Sequence, residues 1–154
     1  MNISSDINLI GGNQIEIVYV RPPMNTMDHI SSAENADTVL RKHINHGQLD
    51  LRESFWVILL TNANRVLAVS ETARGTSRAV LTNPKYIFQL ALLTNASAII
   101  LAHNHPSGKL QFSKRDITET KKIKRLAMLM DVTVLDHIIF TSDSFVSMKE
   151  EEMM

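Results

Sequence analysis

The sequence predicts an α/β fold in which a mixed central β-sheet is flanked by helices. Apolar runs of strand-forming residues alternate with amphipathic helical segments, which is typical of α/β domains. Two runs, residues 55–60 and 97–102, are almost continuously apolar, as expected of strands that are covered on both faces. A turn at 62–64 connects the first run to a shorter strand-like run at 65–70, so the sheet is predicted to contain an antiparallel hairpin.

The remaining elements follow from periodicity and from residues that begin helices. Residues 14–20 alternate between polar and apolar side chains and predict a half-buried strand. The pair Ser31-Ser32, Asn83 and Ser113 are residue types that cap the first turn of a helix. The predicted helices cover residues 32–45, 84–93 and 113–130, and the last two strands cover residues 132–140 and 145–148.

The composition is that of a single globular domain, predicted to cover residues 1–154. Sixteen basic and sixteen acidic residues give no net charge, which argues against binding nucleic acid or anionic membranes through bulk charge. Cysteine is absent, which excludes disulfide scaffolds, cysteine nucleophiles and cysteine-based zinc fingers. Residues 1–12 and 149–154 are predicted to be loose terminal segments.

The sequence also bears on location. No apolar run approaches the length of a membrane span, so no membrane partner is expected. The first residues do not show a basic segment followed by an apolar stretch, the pattern of a signal peptide. The expected location is therefore the cytoplasm.

The clearest chemical signal is a pair of histidines, His103 and His105, directly after the second apolar run. In an extended segment, residues i and i+2 point to the same side with Cα atoms about 6.5 Å apart, so both imidazoles can reach one metal ion. The carboxyl end of a buried strand is also where α/β sheets bind ligands. Two polar loop residues without a common role explain the pair equally well, so the spacing alone leaves both interpretations open.

Asp116 lies near the start of the third predicted helix, in line with an apolar stripe that includes Ile123 and Ala127. An ionised carboxylate on a face that packs against a sheet is costly unless it is paired or bound to a metal. Asp116 is also the third residue after Ser113, which is the spacing of a helix capping box. The two interpretations are compatible, and the ligand interpretation is favoured because two histidines precede the helix by one short loop.

Two histidines and one carboxylate supply three of the four ligands of a tetrahedral zinc ion, which leaves one position for water. This is the pattern of a catalytic rather than a structural zinc site, so Zn²⁺ is the expected cofactor. Such an ion lowers the pKa of water toward neutrality and polarises a substrate carbonyl. The chemistry then requires a general base for the water and a hydrogen-bond donor for the oxyanion.

The histidine pair and the helix start together resemble the JAMM metallopeptidase motif, H-x-H-x7-S-x2-D. Its four positions are occupied here by His103, His105, Ser113 and Asp116. The sequences HNHPSG at 103–108 and LDHII at 135–139 are similar to the RadC-type branch of the JAB/MPN superfamily, and the resemblance covers residues 53–148. It implies the JAMM arrangement, an α/β/α layering similar to that of cytidine deaminases, with the metal at the end of the strand that carries His103.

The resemblance implies a role for each motif residue. His103, His105 and Asp116 correspond to the zinc ligands of the family. Ser113 corresponds to the residue that hydrogen-bonds the bound water or the tetrahedral intermediate. The family's catalytic glutamate precedes an apolar strand, a place that Glu53 occupies here.

Two further residues have weaker claims to the site. Glu71, at the end of the predicted return strand, is the alternative candidate for the general base. His137 lies between apolar neighbours on a predicted strand, so it is predicted to be a hydrogen-bonded core histidine or one that supports a ligand, rather than a ligand itself.

The sequence departs from the RadC-type pattern in two places. Residues 109–112 (KLQF) replace the acidic residue and proline that are usual in this loop, a change that concerns loop rigidity and substrate preference. The residues before Glu53 are too few for the helix-hairpin-helix region of longer RadC-type proteins. The chain is therefore predicted to be a short form without that DNA-binding region.

The resemblance implies a zinc-dependent metallopeptidase that hydrolyses a peptide or isopeptide bond in a protein or peptide substrate. Two other functions stay open. Seven basic and two acidic residues between Lys109 and Arg125 are compatible with a metal-dependent nuclease or with association with DNA, although a solvated helix face explains them as well. A non-catalytic zinc-stabilised binding module is the other alternative, and a free edge strand would allow a homodimer.

Overall fold

The computed structural model describes residues 7–10 and 14–154. These residues form seven strands and three α-helices, with 3₁₀ helices at Met24–Thr26 and His46–Gln48. The strands are β1 (Ile7–Ile10), β2 (Gln14–Ile17), β3 (Ser54–Leu60), β4 (Val66–Arg74), β5 (Ala98–Asn104), β6 (Thr133–Phe140) and β7 (Phe145–Ser147). The α-helices are α1 (Ala33–Arg41), α2 (Pro84–Leu93) and α3 (Lys114–Met128).

Of the helices in the described part of the chain, none is long and apolar enough to cross a membrane.

Five of the strands form one mixed sheet in the order β4-β3-β5-β6-β7. β3 is antiparallel to both of its neighbours, β4 and β5, whereas β5 and β6 are parallel and β7 returns antiparallel to β6. The pair β3 and β4 is the predicted hairpin. The parallel pair β5 and β6 is joined through α3, the kind of crossover that parallel strands require. The predicted α/β class is therefore confirmed.

Helices cover the sheet on both faces. Successive residues of β3 point to opposite sides, so Val57 and Leu59 pack in a cluster with residues of α2 and α3, while Ile58 and Leu60 pack in a cluster with residues of α1. Every residue of β5 is buried, because this strand has a neighbouring strand on each side and an apolar layer on each face. The α/β/α layering implied by the resemblance is present.

β5 is longer than predicted, and the difference concerns the histidine pair. The strand continues past its apolar run to Asn104 because β3 still pairs with it at His103, and β6 pairs with it at both His103 and Asn104. His103 lies opposite Phe55 on β3 and opposite Ile139 on β6. His103 therefore belongs to the sheet, and His105 lies just outside it.

Two helices end earlier than predicted. α1 ends at Arg41, where the backbone forms a tighter turn than that of an α-helix. Asn45 then caps the next 3₁₀ helix by accepting a hydrogen bond from the Gly47 N–H at 3.1 Å. α3 ends at Met128, shortly before Asp131 adopts a left-handed φ of 53°. Left-handed residues cannot continue a right-handed helix, so this position ends α3.

The N-terminal prediction changes in part. Residues 7–10, within the segment 1–12 that is predicted to be loose, form β1 and pair antiparallel with β2. β2 covers only the first part of the strand predicted there, and the two strands form a separate two-stranded sheet. Residues 1–6 and 11–12 lie outside the described residues.

The C-terminal segment 149–154 packs against the domain, in contrast to the loose tail predicted. Backbone N–H groups of Glu151 and Met153 donate to the carbonyls of Ser147 and Met148 at 3.1 and 3.0 Å, which closes two turns. The side chains of the last two methionines pack against apolar clusters of the core. Burial of these apolar side chains favours an ordered tail.

Candidate metal centre

The site begins at the carboxyl end of β5. His103 is 1% exposed, and its imidazole stacks on the ring of Phe55 from β3, with ring centroids 6.0 Å apart and planes inclined by 7°. The backbone N–H of His105 donates to the Phe140 carbonyl of β6 at 3.1 Å. The turn then closes with the Gly108 N–H donating to the His105 carbonyl, and Gly108 has a φ of 76°, which favours glycine. The HNHPSG segment thus holds both histidines in place.

The two imidazoles meet through their Nε2 atoms, which are 2.9 Å apart. The other nitrogen of His105 determines which form of the ring is present. Nδ1 of His105 lies 2.7 Å from the backbone carbonyl oxygen of Lys109, a group that can only accept. Nδ1 therefore carries a hydrogen, so in the neutral form of the ring Nε2 of His105 presents a lone pair toward His103. This is the form in which histidine ligates metals.

The two carboxylate oxygens of Asp116 face different partners, one at the start of α3 and one in the site. Ser113 is the N-cap of α3: its Oγ accepts from the Asp116 N–H at 3.1 Å, and Oδ2 of Asp116 accepts from the Ser113 N–H at 2.7 Å. This reciprocal capping box leaves the other oxygen, Oδ1, 3.5 Å from Nε2 of His103. The capping role of Asp116 therefore does not prevent it from facing the histidine.

Glu53 directly precedes β3, the strand next to β5, and lies close to the two histidines. Its backbone carbonyl accepts from the Gly75 N–H at 2.8 Å. A Cβ on Gly75 would lie 2.0 Å from the Ala79 carbonyl oxygen, so only glycine allows this close approach of the chain. One ligand atom from each of Glu53, His103 and His105 lies within 4.8 Å of the other two. These three side chains form a group that can hold a metal ion.

Burial determines the electrostatics of this group. Desolvation raises the pKa of the Glu53 carboxyl above its ordinary value, and the charge of His105 opposes the change. Burial also lowers the pKa of His103 to about 4, against the opposing effect of the Asp116 carboxylate. His103 is therefore a neutral nitrogen donor at neutral pH, beside two carboxyl groups.

A buried network behind His103 connects the site to α3 and β6. Nδ1 of His103 lies 2.8 Å from Nε2 of His137, on β6. Nδ1 of His137 lies 2.6 Å from Oγ1 of Thr120, on α3, and the same hydroxyl lies 2.7 Å from the backbone carbonyl oxygen of Asp116. Burial holds the pKa of His137 well below its ordinary value. His137 is thus a buried, hydrogen-bonded residue in contact with His103.

The candidate residues open into a cleft of about 580 Å³, which we call the site cleft. Its other lining residues include basic side chains, an acidic one and an aromatic one. They are Arg78, Lys109, Arg115, Glu119 and Phe112. The group that can hold a metal is therefore accessible from solvent, although His103 itself is buried.

The structure brings the five predicted site residues into this one cleft but groups them differently. Glu53, the predicted base, belongs to the tight group with both histidines. Asp116, a predicted ligand, stands beside that group, and Ser113 lies at the cleft as the N-cap of α3.

Glu71, the alternative base, lies elsewhere. It pairs in register with Trp56, on the sheet face that is covered by α1, and its carboxylate forms an ion pair with the Arg74 guanidinium. The structure therefore places Glu71 on the opposite side of the sheet from the site cleft.

Two side chains at the site are not predicted from the sequence. Thr120 carries a signal that could have found it, because it is a polar residue four positions after Asp116 on an otherwise apolar stripe of α3. Phe55 carries none, because its place in a continuous apolar run is indistinguishable from that of a core residue.

The residues present fit a divalent metal ion. Two imidazole nitrogens face each other at hydrogen-bond distance with carboxylates beside them. Acceptor atoms brought together away from water repel one another unless a proton or a cation lies between them. Nitrogen and carboxylate donors in one group are the combination that divalent transition metals accept.

Comparison with known proteins identifies the family. The profile of the RadC-like JAB domain matches residues 30–153. The chain belongs to the RadC-like JAB domain family. RadC-like domains are part of the JAB/MPN superfamily, so the family inferred from the motif is confirmed.

Three similar relatives are UPF0758 proteins. The one from Flavobacterium johnsoniae is 37% identical over 122 residues, which cover 79% of this chain and 52% of the relative. The one from Cellvibrio japonicus is 35% identical over 132 residues, covering 86% and 58%, and the one from Marinomonas is 39% identical over 124 residues, covering 80% and 54%. The chain thus spans about half the length of the curated relatives it matches.

Proposed function

We propose that the chain is a zinc-dependent metallohydrolase of the JAMM type that hydrolyses a peptide or isopeptide bond. One observation carries the proposal: the Nε2 atoms of His103 and His105 converge to 2.9 Å, with the Glu53 carboxylate in the same group, at an open cleft. Membership of the RadC-like JAB domain family supports a hydrolase.

The ion would be held by His103, His105 and Asp116. Two imidazoles and one carboxylate suit Zn²⁺ among the divalent metals. When bound, zinc supplies Lewis acidity, which polarises the scissile carbonyl and lowers the pKa of the attacking water. The chain itself supplies a base, a donor for the oxyanion and a rigid support.

Glu53 acts as the general base. Its carboxylate belongs to the same group as the histidine nitrogens, so it can reach a water molecule that attacks from this position. Its raised pKa brings its proton affinity closer to the working pH, which helps it to take a proton from water and then deliver it to the leaving nitrogen. The backbone hydrogen bond with Gly75 keeps Glu53 in place during both transfers.

Ser113 donates a hydrogen bond to the oxyanion that develops on the scissile carbonyl. Its Oγ already accepts the Asp116 N–H, so the hydroxyl hydrogen is available to a group in the cleft. Ser113 is exposed at the start of α3, where the helix N-terminus also favours negative charge. Loss of one such donor typically lowers kcat by about 10²–10³-fold.

The charge pattern of the site cleft favours a peptide over a nucleic acid. Arg78, Lys109 and Arg115 line it together with Glu119 and the site carboxylates. A phosphodiester backbone is bound through repeated basic contacts, and carboxylates among them oppose its binding. A peptide backbone is uncharged and tolerates this mixture.

The experiment begins with the metal content of the chain, purified without added metal or chelator. We expect about one zinc per chain, which is the content of a mononuclear site. Glu53→Gln is expected to keep the zinc while hydrolysis of a peptide and isopeptide library falls about 10²–10⁴-fold, the usual contribution of a general base. Glu71→Gln, on the opposite face of the sheet, is the matched control and should keep both zinc and activity.

Three outcomes would contradict the proposal in different ways. A chain that does not bind zinc even when zinc is supplied excludes the metallohydrolase. Zinc binding without hydrolysis of any library member favours a non-catalytic binding module. Cleavage of DNA that is sensitive to salt and abolished by Glu53→Gln favours a nuclease.

A further inference from the structure

We propose that Thr120 and His137 are positioning residues that fix the tautomer of His103, so that its Nε2 lone pair faces the metal position. This inference rests on the proposed function, because it gives the two residues a role toward the ion that the site would hold. Both act through His103. Their contacts form a chain of hydrogen bonds that runs from α3 through β6 to β5.

The direction of this chain follows from its first member. Thr120 has one hydroxyl hydrogen, and its Oγ1 lies 2.7 Å from the backbone carbonyl oxygen of Asp116, which can only accept. The hydrogen therefore points at this carbonyl, and Oγ1 offers a lone pair to Nδ1 of His137, 2.6 Å away. Nδ1 of His137 must supply the hydrogen for this contact.

His137 in turn determines the form of His103. A neutral imidazole has one N–H, so His137 with its hydrogen on Nδ1 is an acceptor at Nε2. This acceptor lies 2.8 Å from Nδ1 of His103, which must then donate. His103 is left with a lone pair on Nε2, the atom that lies 2.9 Å from Nε2 of His105 and 3.5 Å from Oδ1 of Asp116.

The opposite tautomer would disable the site. Without the Thr120 hydroxyl, Nδ1 of His137 would lose its acceptor, and the ring could carry its hydrogen on Nε2, toward His103. His103 would then be driven to carry its own hydrogen on Nε2, where the metal should bind. The rings of Phe55 and Phe112 lie 5.5 and 5.9 Å from that of His137, so apolar surface surrounds the relay and disfavours a water in place of the hydroxyl.

Thr120→Val tests the relay with a small steric change, since valine replaces the hydroxyl by a methyl group. The Zn²⁺ affinity of the full chain, measured by competition with a chromophoric chelator, is expected to fall by up to about 10–100-fold, the loss typical of removing the direct partner of a ligating histidine, because Thr120 acts through that partner, His137. Thr120→Ser keeps the hydroxyl and should remain close to the wild type.

Thr118→Val is the matched control on the same helix. The Thr118 hydroxyl donates to the Lys114 carbonyl at 2.8 Å, the same bond that Thr120 makes with Asp116, but Thr118 is exposed. Its valine variant undergoes the same chemical change away from the relay. We expect its Zn²⁺ affinity to be unchanged.

A second measurement reads the tautomers directly, and its test of the wild type does not require a variant to fold. Long-range ¹H–¹⁵N correlation spectra distinguish a histidine that carries its hydrogen on Nδ1 from one that carries it on Nε2. In the full wild-type chain from which a chelator has removed the metal, His103 and His137 are both expected to carry it on Nδ1. In Thr120→Val treated in the same way, this preference should be lost.

The outcomes separate this inference from the proposed function. Weakened binding in Thr120→Val, near wild-type binding in Thr120→Ser and unchanged binding in Thr118→Val support the relay. Tight Zn²⁺ binding by Thr120→Val, or a wild-type His103 that carries its hydrogen on Nε2, overturns the relay and leaves the proposed function standing. A wild-type chain that does not bind Zn²⁺ at all overturns the proposed function itself and, with it, the relay.

Discussion

Two cavities on opposite faces of the sheet contain similar residue types but differ in how those residues are paired. The site cleft, about 580 Å³, lies on the face that is covered by α2 and α3. The other, which we call the opposite cavity, has a volume of about 450 Å³ and lies on the α1 face. It is lined by residues that include His43, Arg52, Trp56, Glu71, Arg74 and Asn104. Both therefore hold histidine, glutamate and arginine, so residue type alone does not distinguish a reaction site.

Two adjacent residues of β5, His103 and Asn104, show the difference. Asn104 is 1% exposed; its Oδ1 accepts from the Ser54 N–H at 2.8 Å, and its Nδ2 donates to two backbone carbonyls, each at 2.8 Å. The hydrogen bonds of its side-chain amide are therefore made to backbone groups of the fold. Nε2 of His103 instead faces a lone pair of His105 and a carboxylate oxygen of Asp116. Polar groups paired within the fold stabilise it, whereas converging acceptors are available to a cation.

The largest expected effect is the loss of zinc from His103→Ala. Zn²⁺ affinity should fall by more than about 100-fold, because the change removes a ligand rather than a partner of a ligand. Chelator competition measures it. His43→Ala in the opposite cavity is the matched control, since among the described residues the His43 ring has one hydrogen-bond partner, the Val39 carbonyl at 2.9 Å. Unchanged affinity in His103→Ala would mean that the ion is held elsewhere, and equal losses from both variants would mean that the loss does not come from removing a ligand.

Asn104→Ala is expected to affect stability instead of metal binding. Its free energy of unfolding should fall by about 2–4 kcal/mol, because the Ser54 N–H and two carbonyls lose a buried partner. Urea denaturation measures the change, and zinc per folded chain should stay constant. Asn45→Ala, which removes one exposed hydrogen bond to the Gly47 N–H, should cost less than about 1 kcal/mol. An Asn104→Ala chain as stable as the wild type would contradict the structural role.

Ser113→Ala tests a residue that serves both the fold and the site. Loss of the N-cap should cost about 1 kcal/mol of stability, and loss of the hydroxyl should lower kcat. Ser32→Ala removes the corresponding cap of α1, where Ser32 accepts from the Asn35 N–H at 3.2 Å. It should lose similar stability and no activity. If both variants keep full activity, Ser113 is a cap alone.

The smallest effect is expected from Glu71→Gln. Hydrogen bonds from the Arg74 guanidinium hold the pKa of Glu71 below its ordinary value of 4.5. A carboxyl group with a depressed pKa contributes stability above its unfolded-state pKa, and this contribution is lost as the pH falls through the folded-state pKa. The wild type should therefore exceed the variant slightly in stability at neutral pH, and the difference should vanish in acid.

Thermal unfolding between pH 7 and pH 3 measures this difference. Glu151→Gln, a change of the same type at an exposed residue, is the control. A large loss of stability in Glu71→Gln at neutral pH would mean that the opposite cavity depends on this ion pair. A difference that grows in acid would contradict the sign of the shift.

Local signals in the sequence predicted much of the fold. Ser32, Asn83 and Ser113 begin the three helices as N-caps, as expected from their residue types. The capping box at Ser113 and Asp116 spans one helical turn and could be recognised from spacing alone. The predicted β5 ends too early, because strand ends depend on how far the neighbouring strands continue.

The site could be predicted only in part. The spacing of His103, His105 and Asp116 identified the residues that meet, since short-range geometry places them near one another. The prediction of Glu53 depends on the family resemblance, because fifty residues separate it from His103 in the sequence. Its position depends on the register that pairs Phe55 with His103 across β3 and β5. The role of Thr120, on α3, does not follow from the sequence because its partner, His137, lies on β6.

The sequence by itself determined the α/β class, the family and the spaced set of metal-site candidates, because these depend on periodicity, helix caps and motif spacing within short segments. The tertiary structure alone decided the strand order, the face on which each polar residue lies, and the hydrogen-bond partners of the buried histidines. These depend on contacts between distant segments, such as the 2.8 Å contact of His103 with His137. A side chain's chemistry is set by its partners, and β5 places adjacent residues on opposite faces with different partners.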